Sequence, residues 1–397
     1  MVEEFSKVGV VGLGTMGAGI VEVFAGAGFA VTGVEVNDAA LERGRGHLEK
    51  SLAKAVAKGK LTEDERRDIL GRVTFTTSRE DLADADFAVE AVPERMDVKR
   101  SVFTDLDRIL PSGSILATNT SSLSVTEIAA LTNRPGKVIG LHFFNPAPVM
   151  KLVEIVGTVV TDPGVLDVAT EVVKRLGKTP VAVTDRAGFV ANALLVPYLN
   201  DAVTVYERGL ATREQIDAAV TEAAGFPMGP LTLMDLVGLD VLLDVMDVLW
   251  EEFRRPRYAA APLLRRMVAA GLLGRKSGRG FYDYSVSTPA EQEPTGPLAA
   301  LVGDGAGQVD LAGLLLAPHI NDAAHMIGDG YATADDVDTA MRLGCGYPRG
   351  LAEMLDERGV KNVTGTLADL AGLGLFTDDV APLLTLLAAR GRDTLRD

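Results

Sequence analysis

The fold is decided by residues 7–17, which have the sequence KVGVVGLGTMG. A short run of mostly β-branched apolar residues ends in a turn with three glycines. Apolar residues then recur at helical spacing, at Ile20, Val23 and Phe24. The pattern predicts a strand, a glycine turn and a helix.

Each glycine of this turn has a separate purpose. Gly12 permits the tight turn, Gly14 lets the backbone approach a pyrophosphate, and Gly17 lets the helix pack close to the strand. Thr15 and Met16 lie at the start of the helix, whose N-terminus would face the phosphates. The turn therefore predicts a dinucleotide-binding site.

An acidic residue follows the second predicted strand, which covers residues 30–34. The Glu35 carboxylate can accept hydrogen bonds from a ribose diol and repels a 2′-phosphate. No Arg or Lys occurs at residues 36–38. These features favour NAD over NADP as the cofactor.

Further apolar runs at residues 87–89, 114–117 and 138–141 alternate with helical stretches and predict a doubly wound parallel sheet of the Rossmann type within residues 1–185. Ligands of such sheets gather at the carboxyl ends of the strands. The polar residues that follow these runs are Glu90 and Glu94, Asn119 to Ser122, and His142 to Asn145.

Composition excludes several classes of protein. The 397 residues suggest two or three domains, and the net charge of −16 argues against binding to nucleic acid or an anionic membrane. The single cysteine, Cys345, and four scattered histidines favour neither a disulfide nor a metal site. The N-terminal sequence predicts neither a signal peptide nor a membrane span, so we expect a cytoplasmic protein.

A basic patch interrupts this acidic sequence. Residues 41–67 contain eight Arg or Lys and five acidic residues, and Lys50, Lys54 and Lys58 repeat every four positions. Three lysines on one helix face can attract a polyphosphate. Spacing alone favours a merely solvated helix face.

The second half of the chain is predicted to be helical. One apolar face is formed by Ala193, Val196, Tyr198, Leu199 and Val203. We predict an all-α domain over residues 186–285, a linker rich in Pro and Gly over residues 286–310, and a second helical domain over residues 311–397.

The two helical domains repeat one another. Residues 198–202 (YLNDA) align with residues 319–323 (HINDA), and residues 225–227 (GFP) with residues 346–348 (GYP), both at a shift of 121. A constant shift indicates duplication. Gly313 stands where the first copy has Asn192, so we interpret the second copy as structural. It is expected to dock on the first as a pseudo-dimer within one chain, with a homodimer as the alternative.

From Val8 to Tyr284 the chain resembles the L-3-hydroxyacyl-CoA dehydrogenase family, which includes the bacterial 3-hydroxybutyryl-CoA dehydrogenases. The shared motifs are residues 12–17, 90–94 (EAVPE), 119–123 (NTSSL), 142–146 (HFFNP), 188–189 (GF) and 274–282 (GRKSGRGFY). The resemblance implies reversible, NAD-dependent oxidation of an L-3-hydroxyacyl-CoA to the 3-ketoacyl-CoA, with a short acyl chain as in 3-hydroxybutyryl-CoA.

The same resemblance implies roles for individual residues. The catalytic set is His142, its carboxylate partner Glu154, and two contacts to the substrate oxygen, Ser121 and Asn192. The implied cofactor contacts are Glu94, Lys99, Ser121, Asn145 and Lys276, and the implied coenzyme A contacts are Ser51 and Lys58. The chain departs from the family pattern at Ala187 and Ala193, where Pro and Arg are common.

The chemistry agrees with these roles, although each residue also has a simpler interpretation. Alcohol oxidation needs a base, and imidazole titrates near neutrality. Glu154 lies among β-branched residues, where a carboxylate needs a cation or strong donors, so it suits the partner of His142. The pair can also be purely structural. Ser121 can be a helix cap, and Asn192 can make an interhelical hydrogen bond.

Two other functions fit the same build. One is a dehydrogenase of a free hydroxy acid or a sugar acid such as L-gulonate. The other is a non-catalytic NAD-binding or structural protein, against which the intact set of catalytic residues argues.

Overall fold

The computed structural model describes residues 5–286, 299–302 and 310–396. The chain divides into two compact units, Met1–Phe189 and Val190–Asp397. Most of the predicted linker, residues 287–298 and 303–309, lies outside the described residues.

The first unit is built on one eight-stranded sheet in the order β3-β2-β1-β4-β5-β6-β7-β8. Its strands are β1 (Lys7–Val11), β2 (Ala30–Val34), β3 (Val73–Thr76), β4 (Phe87–Glu90), β5 (Ile115–Thr118), β6 (Val138–Phe143), β7 (Leu152–Gly157) and β8 (Thr179–Thr184). Neighbouring strands are parallel except β6 and β7, which run antiparallel. The predicted parallel sheet is thus correct for β1 to β6, and the sequence pattern did not show the reversal at β7.

Helices cover both faces of the sheet. They are α1 (Thr15–Gly26), α2 (Asp38–Ala57), α3 (Glu63–Gly71), α4 (Met96–Ile109), α5 (Val125–Ala129) and α6 (Pro163–Arg175). Alternate residues of β4 belong to two separate apolar cores: Phe87 and Val89 pack with Phe24 of α1, whereas Ala88 packs with Phe103 of α4. This arrangement confirms the predicted doubly wound fold.

The second unit is helical. Its helices are α7 (Ala191–Glu207), α8 (Arg213–Ala223), α9 (Pro230–Val237), α10 (Leu239–Phe253), α11 (Pro262–Ala269), α12 (Leu311–Gly328), α13 (Ala334–Cys345), α14 (Leu351–Arg358), α15 (Val360–Gly372) and α16 (Pro382–Ala389). Helices α7 to α11 form the first copy and α12 to α16 the second. The two copies pack against each other through α7 and α12.

Equivalent asparagines make equivalent bonds in the two copies. In α7, the Asn200 side chain accepts a hydrogen bond from Ala261 N at 2.8 Å, which holds the start of α11. In α12, Asn321 accepts from Ala381 N at 2.8 Å, at the start of α16. The repeat seen in the sequence is therefore also a repeat of side-chain contacts.

The second copy has no counterpart of the motif at residues 274–282, and the C-terminal tail makes the equivalent contact. In the first copy, Asp235 accepts a hydrogen bond from Phe281 N at 2.9 Å. The equivalent of Asp235 is Asp356, which accepts from Leu395 N at 2.5 Å. A different sequence thus holds the corresponding helix in place.

Among the described residues, no helix has the length and apolar character that crossing a membrane requires.

Candidate active site

A cleft of about 1000 Å³ opens at the carboxyl ends of β1, β2 and β4. It is lined by the predicted glycine turn and by residues that follow the neighbouring strands, among them Gly12, Gly14, Thr15, Met16, Glu35 and Val92. Ligands of doubly wound sheets bind at this edge. The cleft is therefore the candidate cofactor site.

The glycine turn fits a pyrophosphate. Gly12 has a φ of +90°, and a Cβ there would lie 2.7 Å from Ala91 O. A Cβ on Gly17 would lie 1.8 Å from Gly12 O, so only glycine allows α1 to start this close to β1. At Gly14, by contrast, no heavy atom of the described residues other than its chain neighbours lies within 4 Å of the Cβ position. That open space lets a ligand approach the backbone at the N-terminus of α1.

Glu35 lies at the end of β2 and lines the same cleft. Its Oε1 accepts a hydrogen bond from Leu13 N at 2.7 Å, which ties the glycine turn to the second strand. Arg43 of α2 also lines the cleft. Arg43 lies beyond residues 36–38, the only positions from which the sequence predicted the absence of a basic residue at this site.

His142 and Glu154 lie directly opposite each other on the antiparallel strands β6 and β7. His142 Nδ1 is 2.7 Å from Glu154 Oε2, and the two residues are 4% and 0% exposed. Because a carboxylate only accepts hydrogen bonds, Nδ1 carries the proton. The ring nitrogen left with a lone pair is Nε2.

Ser121 lies on the other side of the imidazole, on the turn after β5. Its Oγ is 3.2 Å from His142 Nε2, so the hydroxyl donates to the free lone pair. The rings of Phe144 and Phe189 lie beside the imidazole, with centroids at 4.6 and 5.5 Å. The first unit thus brings together a serine, a histidine and a glutamate in one row.

Glu94 organises the turn that carries Ser121. Its Oε1 accepts hydrogen bonds from Thr120 Oγ1 at 2.6 Å, Ser121 N at 2.9 Å and Ser122 N at 3.1 Å. Burial opposes ionisation of Glu94, but the ammonium of Lys99 and these hydrogen bonds outweigh it and lower the carboxyl pKa. Glu94 is therefore an acceptor in its ionised form.

A lysine that was not predicted from the sequence stabilises the loop that carries Asn145. Lys178 is buried, and its Nζ donates hydrogen bonds to Ala147 O and Met150 O, each at 2.7 Å. Burial and the nearby charge of Lys151 lower the pKa of Lys178 to about 8. Only the folded chain brings Lys178 to these carbonyl groups, so its local sequence carries no signal.

The residues proposed for coenzyme A lie on and just after α2. Ser51 is half-buried, whereas Lys50, Lys54 and Lys58 are exposed. The predicted basic face is therefore present on one helix and its C-cap.

Two predicted site residues belong to the second unit. Asn192 lies in the first turn of α7 and is half-buried. Lys276 lies in the short 3-10 segment Arg275–Ser277, and its Nζ is 2.7 Å from Asp240 Oδ2. Of the predicted site residues, the structure brings together Ser121, His142, Glu154 and Glu94 in the first unit, with Lys99 Nζ 3.3 Å from Glu94 Oε2.

Known families and structures match both units. The family model of the 3-hydroxyacyl-CoA dehydrogenase NAD binding domain matches residues 7–186. The model of the C-terminal domain of the same family matches residues 188–284 and 313–392.

Individual relatives agree with the family models. A 3-hydroxybutyryl-CoA dehydrogenase of Mycobacterium tuberculosis is 50% identical over 286 residues, which are 72% of this chain and 100% of the relative. That of Clostridioides difficile is 48% identical over 279 residues, 70% of this chain and 99% of the relative. The crystal structure of 3-hydroxybutyryl-CoA dehydrogenase from Escherichia coli K12 has a TM-score of 0.89 at 31% identity, and covers 98% of this chain and 99% of that one. With an NAD-binding unit, a Ser-His-Glu row at the sheet edge and these matches, the chain belongs to the 3-hydroxyacyl-CoA dehydrogenase family.

Proposed function

We propose that the protein is an NAD-dependent L-3-hydroxyacyl-CoA dehydrogenase for short acyl chains, with His142 as the residue that moves the substrate proton. The observation that carries this proposal is the row Ser121, His142 and Glu154, with distances of 3.2 and 2.7 Å, in an NAD-binding unit of this family. A purely structural His-Glu pair has no need of a hydroxyl on its free nitrogen.

The row supports base catalysis in the direction of alcohol oxidation. His142 Nε2 accepts the proton of the substrate hydroxyl, and the imidazolium that forms is stabilised by Glu154 at 2.7 Å from Nδ1. Bound NAD supplies the acceptor for the hydride that leaves the same carbon. Because Glu154 also fixes Nδ1 as the protonated nitrogen, it keeps Nε2 ready as the base.

Ser121 binds the substrate oxygen through its hydroxyl group. In the reverse direction its hydroxyl donates a hydrogen bond to the ketone oxygen, while protonated His142 returns the proton. The low exposure of His142 means that these bonds act in a poorly solvated environment, where they are stronger than in water.

The cofactor is held by residues of the cleft. Gly12, Gly14 and the N-terminus of α1 receive the pyrophosphate, and Glu35 receives the adenosine ribose. From the resemblance, we assign Glu94 and Asn145 to the nicotinamide side of NAD, Lys276 to a further cofactor contact, and Asn192 to the substrate oxygen.

The exposed lysines around the end of α2 fit the phosphates of coenzyme A. In a chain of net charge −16, an anionic ligand needs a local patch of positive charge. Ser51 and Lys58 are the proposed contacts, with Lys50 and Lys54 on the same face. We further infer a cytoplasmic enzyme, and a second helical copy that stands where another subunit's helical domain would stand.

The test is NADH oxidation with acetoacetyl-CoA, with longer 3-ketoacyl-CoAs and with free acetoacetate, repeated with NADPH. We expect turnover of the short thioester with NADH and none of the free acid. Equal turnover of free acetoacetate, or oxidation of L-gulonate in preference to 3-hydroxybutyryl-CoA, would contradict the proposal. Binding of NADH without turnover of any thioester would indicate a non-catalytic NAD-binding protein.

A further inference from the structure

Glu90 is a buried carboxylate beneath the active-site turn. It ends β4, is 0% exposed and accepts four hydrogen bonds. Its donors are Lys99 Nζ at 2.9 Å from both carboxylate oxygens, Thr118 Oγ1 at 2.7 Å and Val92 N at 2.7 Å. A buried charge is costly unless such partners surround it, so this set of contacts holds Glu90 and Lys99 in one arrangement.

Lys99 connects Glu90 to a second carboxylate. It lies on α4, is 1% exposed, and its Nζ is 3.3 Å from Glu94 Oε2. One ammonium group is thus shared between two carboxylates, which leaves the cluster with a net charge of −1. Because Lys99 occupies Oε2 of Glu94, the other oxygen of Glu94 is left for the turn at residues 120–122.

The contacts continue to the imidazole. Glu94 Oε1 accepts from Ser121 N at 2.9 Å, and Ser121 Oγ lies 3.2 Å from His142 Nε2. Every step from Glu90 to His142 is therefore a hydrogen bond or an ion pair.

We propose that Glu90 is a positioning residue for the dehydrogenase reaction, which holds Lys99, and through it Glu94, so that Ser121 presents its hydroxyl to the substrate oxygen. The inference gives Lys99 a role through Glu94, in addition to the cofactor contact that the resemblance implies. The inference rests on the proposed function. It predicts an effect on turnover, because a misplacement of about 1 Å at reacting groups can cost about 10²-fold in rate.

Asp107, on the same helix α4, provides a matched control. Its side chain is 8% exposed, and it accepts hydrogen bonds from Arg134 Nε at 2.8 Å and Asn133 N at 2.9 Å. It is a carboxylate of the same unit whose hydrogen-bond partners are Asn133 and Arg134, and among the described residues it does not bond to the Ser121 turn. Loss of the Asp107 charge therefore measures how much kcat falls when an ion pair on α4 is broken at a position away from the Ser121 turn.

The experiment is a double-mutant cycle with acetoacetyl-CoA and NADH. Glu90→Gln should lower kcat about tenfold and should cause no further loss in a Ser121→Ala background. Asp107→Asn should leave kcat unchanged in both backgrounds. An equal fall of kcat for Glu90→Gln in both backgrounds would show that Glu90 does not act through Ser121.

A second measurement needs no substrate. The ¹⁵N resonance of His142 Nε2 reports the hydrogen bond from Ser121, and should move in Ser121→Ala and Glu90→Gln but not in Asp107→Asn. If it stays unchanged in Glu90→Gln, the inference is wrong even for an active dehydrogenase. If the resonance moves in Glu90→Gln while the wild type reduces no 3-ketoacyl-CoA, the proposed function alone is wrong.

Thr118→Val provides a milder change if Glu90→Gln does not fold. It removes one of the four hydrogen bonds to Glu90 and keeps the shape of the side chain. The same dependence on Ser121 is expected, with a smaller loss of kcat. Losses that add fully to Ser121→Ala would overturn the inference here too.

Discussion

Tyr198 of α7 and His319 of α12 stack on each other, with ring centroids 4.7 Å apart and an interplanar angle of 20°. The two positions differ by 121, the shift that relates the two helical copies. Phe226 and Tyr347 obey the same shift, and their centroids are 4.3 Å apart. Contact between equivalent residues is what a two-fold axis produces in a dimer of identical subunits. This geometry supports the proposed pseudo-dimer within one chain.

The buried imidazole of His319 predicts sensitivity to acid. Burial, and then the positive charge of Arg257, lower the pKa of His319 to about 3. Between pH 6.5 and 3 the unfolded chain therefore binds a proton that the folded chain does not, so stability falls as the pH falls. At pH 5 the loss from this group is about 2 kcal/mol relative to neutral pH.

Urea unfolding of the wild type and of His319→Phe at pH 7 and pH 5 measures this effect. The phenylalanine keeps an aromatic ring against Tyr198 but does not titrate. We expect the wild type to lose more stability than the variant between the two pH values. Equal losses would show that His319 is not responsible for the acid sensitivity.

Removal of the second copy should uncover the face of α7. A chain that ends at residue 286 lacks α12 and also lacks Asp322, whose carboxylate accepts from Arg257 Nε at 3.0 Å. Exposure of the apolar face around Tyr198 should cause dimerisation or aggregation, which light scattering detects. A fully active, monomeric truncated protein would contradict the pseudo-dimer. A dimer of the full chain would not, because two pseudo-dimers can pair.

Replacement of the base should abolish turnover but not cofactor binding. His142→Gln removes the proton acceptor and leaves the glycine turn intact, so we expect kcat to fall by about 10²–10⁴-fold. Fluorescence titration with NADH should give a nearly unchanged Kd. Glu154→Gln should cause a smaller fall in kcat, because the imidazole remains but loses its ionised partner. Near-normal turnover of either variant would assign that residue a structural role only.

The basic helix face should matter for the thioester and not for NADH. Lys58→Ala removes a charge far from the reacting carbon, so we expect a rise of about fivefold in the KM for acetoacetyl-CoA. Lys174→Ala, an exposed lysine of α6, is the matched control and should leave both KM values unchanged. Equal weakening of thioester and NADH by Lys58→Ala would argue against a coenzyme A role.

Cofactor preference should depend on Glu35. Glu35→Ala removes a carboxylate that lines the cleft and repels a 2′-phosphate, so the preference for NADH over NADPH should narrow about tenfold. The control is Glu42→Ala, an exposed acid of α2. If Glu35→Ala keeps the wild-type ratio of kcat/KM values, another group selects the cofactor.

Local sequence was sufficient for the fold class and for the duplication. The turn at residues 12–17 requires glycine because backbone atoms approach closely there, so the turn can be recognised from the sequence. Apolar runs likewise mark strands buried on both faces, and a constant shift of 121 reveals the second helical copy. The resemblance added the residues of the candidate site.

Only the tertiary structure decided how those residues meet. The reversal of β7 and its register place Glu154 opposite His142, and a slip of one residue would turn the Glu154 side chain to the other face of the sheet. The contacts of Glu90 with Lys99 and of Lys178 with Ala147 O are likewise absent from any sequence pattern. A strand's local sequence specifies that it is buried, whereas its direction and register depend on packing against residues far away in the chain. That is why the sequence predicted a site at this edge of the sheet and the fold supplied its geometry.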